Sequence, residues 1–343
     1  MTQAANLAAL GTNAGTTGIL PIAGGGTAGT NGAIGFKNRI INGNMVISQR
    51  GTSFAFTNGT TSTYTLDRWR CDDQAGANFT ISQSATAPVG FSNSLLVTTS
   101  SGNGSISGGQ YSIVQQQIEG NNINDLNWGT ANAKAVTLSF WVQSSFTGTF
   151  GGSVRDNAAT YSFPFSYTIS AANTWTYVSI PVAGPTSGSF SATNGLAATV
   201  FFSLGTSTAI AGAAGSWSSG NYLTSTAAGA TGVASTTGAT WYITGVQLEV
   251  GTAATNFDFR SIGTELALCQ RYYQFGGNSF FSNYGGSSSG LIMLFYKVSM
   301  RATPTITSTL SPSSGSGVST EVGNIYILTN STSPTTWTAT AEL

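Results

Sequence analysis

Histidine is absent from all 343 residues. Without imidazole there is no Ser-His-Asp or Cys-His nucleophile, no histidine metal ligand and no imidazole acid–base chemistry. Paired carboxylates remain, and two of them flanking a glycosidic bond can hydrolyse it. The candidates are Asp67, Asp72, Asp73, Glu119, Asp125, Asp156, Glu249 and Asp258. Acids this sparse are expected in turns, caps and ion pairs instead, for example Asp67 with Arg68 or Arg70. Residues 24–29, GGGTAG, fit G-x-G-x-x-G. A dinucleotide site also needs a strand before it, a helix after it and an acid downstream, and none is present. Cys71 and Cys269 give no disulfide framework and read as buried small residues. The triplets at Asn58, Asn78 and Asn330 fit the glycosylation pattern, which arises by chance in a chain rich in Asn and Thr. No catalytic residue, metal ligand or cofactor is expected.

Aromatic side chains are the one group that could carry recognition. There are 19 Phe, 12 Tyr and 7 Trp, and such rings either fill a core or stack on a ligand. Trp69, Trp141, Trp175 and Trp241 lie in strand-like stretches and are expected in the core or at a subunit interface. Phe280, Phe281 and Tyr284 sit in the Gly- and Ser-rich stretch FGGNSFFSNYGGSSSG. Burial is less assured there, so these three are the candidates for a receptor-contacting tip.

Composition narrows the classes further. Charged residues make up 6% of the chain, against a usual share of about a quarter. Positive and negative residues are equal in number, so no basic excess exists to neutralise a phosphate backbone, and no nucleic-acid partner is expected. The aromatic content excludes a disordered chain. A surface with so little charge suits one that lies against other subunits, which points to a permanent oligomer. No segment approaches 18 uninterrupted apolar residues, so no membrane insertion is expected. The opening MTQAANLAALG has no basic region or continuous apolar run. No secretory signal is therefore expected, and assembly in a cytoplasm followed by release is one other route to an outward-facing role.

The elements that must position these residues read as strands. TLSFWV (137–142) puts Leu138, Phe140 and Val142 on one face and Thr137, Ser139 and Trp141 on the other. YSFPFSYTI (161–169) aligns Tyr161, Phe163, Phe165, Tyr167 and Ile169. WYITGVQLEV (241–250) groups Tyr242, Val246, Leu248 and Val250. Period-two alternation between Gly-, Asn- and Ser-rich turns, with hardly any helical spacing, predicts an all-β fold, an antiparallel jelly-roll β-sandwich. Residues 1–36 read as an extended N-terminal arm containing Leu20, Pro21 and Ile22, and 37–260 as the sandwich. TELALCQRYYQ (264–274) has helical spacing and places a short helical hinge over 261–274. A second, smaller C-terminal β domain is expected over 275–343.

Three stretches together resemble phage tail-fibre and related virion structural proteins. GILPIAGGGTAGT (18–30) is similar to the L-P-x-x-x-G-G-T-G phrases of fibre shafts, reading GGGTAG where GGTGAT is usual and occurring once. KNRIINGNMVISQRG (37–51) followed by YTLDRW (64–69) looks like the opening of a widespread phage fibre domain. QQQIEGNNINDLNWGTANAKAVTLSFWVQSSFTGTFGGSV (115–154), ATWYITGVQLEVGTAATNFDFR (239–260) and ELALCQRYYQ (265–274) then follow in order, with KVSMRATPTI (297–306) in the more variable end. The resemblance implies a carbohydrate-binding-like jelly roll without enzyme activity. It implies a homotrimer fixed to other virion proteins through its N-terminal arm, located in the virion tail and meeting a host surface glycan. A head fibre or capsid decoration protein is the alternative. A glycan-degrading tailspike is the third reading, though such spikes normally carry solenoid repeats and none is visible.

Overall fold

The computed structural model describes residues 36–57, 59, 62–228, 232–277, 281–283, 290–308, 319–320, 324–329 and 336–343. Residues 1–37 form one unit and 38–343 a second. Apart from Phe36, the expected arm lies outside the described residues, and Leu20, Pro21 and Ile22 with it.

The second unit begins with an irregular segment and then runs through β1 (Ser53–Phe56), β2 (Ser62–Tyr64), β3 (Arg70–Asp73), β4 (Asn78–Ser84), β5 (Ser94–Ser101) and β6 (Tyr111–Glu119). Next come β7 (Val136–Ser144), β8 (Gly148–Asp156), β9 (Tyr161–Ile169), β10 (Thr176–Val182) and β11 (Leu196–Thr206). The short β12 (Ala211–Gly212), β13 (Ser218–Ser219) and β14 (Thr224–Ser225) precede β15 (Thr240–Val250). One sheet has the order β1-β4-β5-β15-β7-β10, the other β13-β9-β8-β11-β6-β3-β2. All pairings within both are antiparallel. The chain crosses repeatedly from one sheet to the other, giving the all-β jelly-roll sandwich that the alternation predicts.

The core follows from the period-two pattern. Leu138, Phe140 and Val142 of β7 face inward against Phe163, Phe165 and Tyr167 of β9 and Phe202 of β11. Phe140 makes edge contacts with Tyr167 and Phe202, each at 5.1 Å between ring centres. Trp69 and Trp241 are fully buried on either side of Phe202. In β15 the predicted grouping fails. Trp241, Ile243, Val246 and Leu248 face the core, while Tyr242 is half-buried and Val250 exposed. A bulge between Thr244 and Gln247, with Gly245 at φ 62°, switches the parity of the strand midway.

The segment before β1 is irregular in backbone but held by side-chain hydrogen bonds. Asn38 accepts from the amides of Ile40 and Leu248 and donates to Val246 O. Gln116 exchanges two hydrogen bonds of 2.8 Å with the backbone of Ile41. A Cβ on Gly43 would lie 2.1 Å from Val246 O, so only glycine lets this segment lie on β15.

After the sandwich, α1 (Ile262–Gln270) is capped by Ser261, whose hydroxyl accepts from Thr264 N. It starts two residues earlier than the spacing predicts and stops at Gln270. Tyr273 and Gln274 belong instead to β16 (Tyr273–Gly277). The chain continues through β17 (Phe281–Asn283), β18 (Gly290–Phe295), β19 (Thr305–Ser308), β20 (Ser319–Thr320), β21 (Asn324–Thr329) and β22 (Thr336–Thr340). These form a three-stranded sheet, β16-β22-β19, and a four-stranded one, β17-β18-β21-β20. They are the second, smaller β region.

Charged side chains hold that region to the sandwich. Glu119, closed off from solvent at the end of β6, accepts from Arg271 (2.7 Å), Tyr272 (2.6 Å) and Asn121 (2.8 Å). Burial alone would raise its carboxyl, but these hydrogen bonds and the guanidinium charge outweigh it and hold it below the usual carboxylate range. A carboxyl depressed by folding stabilises fully above its unfolded value and loses that contribution as pH falls through the folded one. Glu119→Gln is therefore expected to flatten the acid side of the stability profile, measured as denaturant midpoints at about pH 7 and about pH 3.

Candidate functional site

The eight candidate acids are built into the scaffold. Asp67 does not pair with Arg68 or Arg70; it accepts from the backbone and side-chain nitrogens of Gln49. Arg70 instead grips Asp72, two residues along the same strand face. Asp73 takes the Ser112 hydroxyl, Asp125 pairs with Arg39, and Asp258 with Arg260. Asp156 organises a turn through Thr160, Tyr161 and Ser189. Cys71 and Cys269 are buried and unpaired, with burial raising both thiols. No cluster of three metal-ligating side chains occurs among the described residues, and no helix among them is long and apolar enough to cross a membrane.

The chemistry lies on the outward face of the first sheet. Trp141 of β7 stands directly across from Tyr177 of β10, both pointing away from the core, with ring centres 5.1 Å apart. Two loops rise beside them. Thr244 of β15 donates to Asn93 O and holds the loop carrying Val89 and Phe91. Glu249 accepts from the Thr255 amide and hydroxyl, and Gln247 accepts from the Asp258 amide. These bonds seat residues 254–259 on the sheet and lift Phe257 and Phe259 to its rim. Phe91, Phe257 and Phe259 then pack on each other at 4.8–5.2 Å. Gly245 lies beneath, where a Cβ would come within 2.7 Å of Phe91 and 3.1 Å of Trp141.

The result is a hollow of about 630 Å³ whose lining includes five aromatic rings, Ser139, Thr255 and Asn256, and no charged side chain among the described residues. Tyr177 is 45% exposed and Phe259 58%. Several large apolar side chains left open on one concave surface mark a site of interaction. Aromatic faces beside hydroxyl and amide groups suit a ligand with apolar C–H faces and a rim of hydroxyls.

None of these residues was among the sequence-predicted site residues. Phe280 and Tyr284 lie outside the described residues, and Phe281 begins β17. Trp69 and Trp241 are in the core as expected, whereas Trp141 is half-buried on the outer face and Trp175 packs on Tyr242. Two signals pointed at the hollow: the outward parity of Trp141 in TLSFWV, and the paired phenylalanines of NFDFR.

No protein-family model and no curated protein matches the chain. Among solved structures, the enzymatically active domain of tailspike protein 4 from bacteriophage CBA120 aligns at 15% identity and a TM-score of 0.33, covering 63% of this chain and 22% of that one. The family 11 carbohydrate-binding module of Clostridium thermocellum, in complex with a β-1,3-1,4-mixed-linked tetrasaccharide, aligns at 11% identity and 0.30, covering 60% and 98%. The N-terminal cellulose-binding domain of β-1,4-glucanase C from Cellulomonas fimi aligns at 12% and 0.28, covering 55% and 90%. Likeness at this level adds nothing to the strand pairing as evidence of fold.

Proposed function

We propose that the chain is a structural protein of a bacteriophage particle, a homotrimeric tail fibre that adsorbs to a host surface glycan and catalyses nothing. The aromatic hollow over β7, β10 and β15 is its sugar-stacking site, and that hollow is the observation that carries the reading. Its rings offer apolar faces to a pyranose, and its uncharged rim offers hydrogen bonds without the desolvation cost of a charge. The ordered resemblance of residues 18–274 to phage fibre proteins supports the virion assignment. A near-neutral surface supports assembly, and three copies raise avidity for a repeated glycan even when one site binds weakly.

One experiment on the full chain tests this reading. Light scattering is expected to give three chain masses of 35.1 kDa each. The trimer is expected to bind host-envelope oligosaccharides without shortening them. Trp141→Ala or Tyr177→Ala is expected to weaken binding about tenfold per site, the effect of losing about 1.4 kcal/mol of ring contact. A monomer, unaltered binding in both variants, or turnover of the oligosaccharide would each overturn the corresponding part.

A further inference from the structure

The outward face of the second sheet carries a different kind of concavity. Gln115 and Gln117 of β6, Arg70 and Asp72 of β3, and Arg155 of β8 all project from it. The 207–225 excursion brings Asn221 over their edge, and the space enclosed is about 270 Å³. One end is apolar, where Phe201 packs with Ile113 and Leu223 beside Tyr111. The other end is polar, and its charges are unequal. Arg70 donates to both oxygens of Asp72 at 2.8 and 3.1 Å, and Gln115 donates to the same carboxylate at 2.6 Å. Asp72 is thus neutralised where it stands.

Arg155 has no such counterpart. It is half-buried, its Cζ lies 4.6 Å from the centre of the Phe201 ring, and its Nη1 donates to Asn221 Oδ1. Its Nε is closed off from solvent and donates to nothing, and no carboxylate pairs with it among the described residues. Burial lowers its pKa, and the nearby acids Asp156 and Asp72 and the Tyr111 ring only partly offset that. A guanidinium taken out of water without an anion is costly, and an unmet donor buried beside a cavity needs an explanation. A planar anion is the ligand that a guanidinium fork fits, through two parallel hydrogen bonds.

We infer that this groove binds a carboxylate-bearing sugar, a uronic or sialic acid residue, with the carboxylate on Arg155. The sugar ring lies toward Tyr111 and Phe201, and Gln117 meets its hydroxyls. The glycan part of this inference rests on the function proposed above, but the site is on the opposite sheet and does not use the aromatic hollow.

The test is a calorimetric or NMR titration of the intact protein with glucuronate, with glucose and with inorganic phosphate. Glucuronate is expected to bind at least about tenfold more tightly than glucose, as one charge-assisted pair allows. Arg155→Gln is expected to abolish that preference. Asn221→Asp supplies an internal carboxylate to Arg155 at an exposed position, so it is expected to block glucuronate while keeping the fold. Equal binding of glucuronate and glucose, or unaltered preference in both variants, would overturn the inference. Phosphate binding as tightly as glucuronate would reduce the groove to an inorganic-anion site and overturn its sugar part. If glucuronate binds at Arg155 while neutral oligosaccharides bind nowhere, the hollow's role fails and this one stands. The reverse outcome sinks only the groove.

Discussion

Glu342→Ala is expected to cost about 3–5 kcal/mol of folding stability, the range for removing one partner of a buried ion pair. Arg68, only 1% exposed, pairs with Glu342 and lies 3.5 Å over the Tyr272 ring. Its Nη2 donates to Gln117 O at 2.6 Å. Burial acts to lower the pKa of this guanidinium, but the Glu342 carboxylate outweighs it, so Arg68 stays charged. The same carboxylate takes Arg50 at 2.8 Å. Removing it strands one cation inside the protein and frees another at its edge. The double variant Arg68→Met with Glu342→Leu is expected to be more stable than Glu342→Ala, because an apolar pair asks for no counter-charge. The backbone at position 68 has φ 68°, and Met inherits that strain much as Arg carries it. Urea midpoints of the three proteins decide the matter: a double variant no better than Glu342→Ala would mean that lost packing, not a stranded charge, sets the cost.

This pair also marks a limit of the sequence reading. Glu342 and Arg68 stand 274 residues apart, and no local pattern links them, so a local reading offers only Asp67 as a partner for Arg68 or Arg70. The strands themselves were legible because each buries one face, and period two follows from the pleat. That rule broke in β15, where one extra residue at Gly245 reversed the faces, and a bulge leaves almost no mark in composition. The hollow stayed hidden for a related reason. Trp141 and Tyr177 are neighbours only through strand pairing, and Phe91 and Phe257 meet them only through loops seated by Thr244, Glu249 and Gln247. In the sequence, an aromatic residue that fills a core looks the same as one that lines a site. The Gly- and Ser-rich stretch around Phe281 drew attention because exposure there could be read locally.

The stretches KNRIINGNM, YTLDRW, NFDFR and ELALC, by contrast, mark structure, since they converge on one buried polar junction. At its centre Asn42, with no exposed surface, accepts from the Ile47 amide at 2.9 Å. It donates to Ile47 O and Asp67 O at 2.8 and 2.9 Å. Its own carbonyl takes the Trp69 indole at 3.0 Å, and its amide donates to Glu265 of α1, which in turn pairs with Arg260. Its φ is 57°, a left-handed conformation that asparagine tolerates better than most residues. Asn42→Ala is expected to cost at least about 3 kcal/mol, since it leaves the Ile47 amide and Asp67 O buried without partners, leaves Ile47 O with the Asp67 amide alone, and adds left-handed strain. Asn42→Gly removes the strain but not the missing bonds, so it should recover only about 1 kcal/mol. Urea midpoints of the two variants separate the contributions. Full recovery in the glycine variant would mean that backbone conformation alone dictates asparagine here, and that the polar junction is held by its other members.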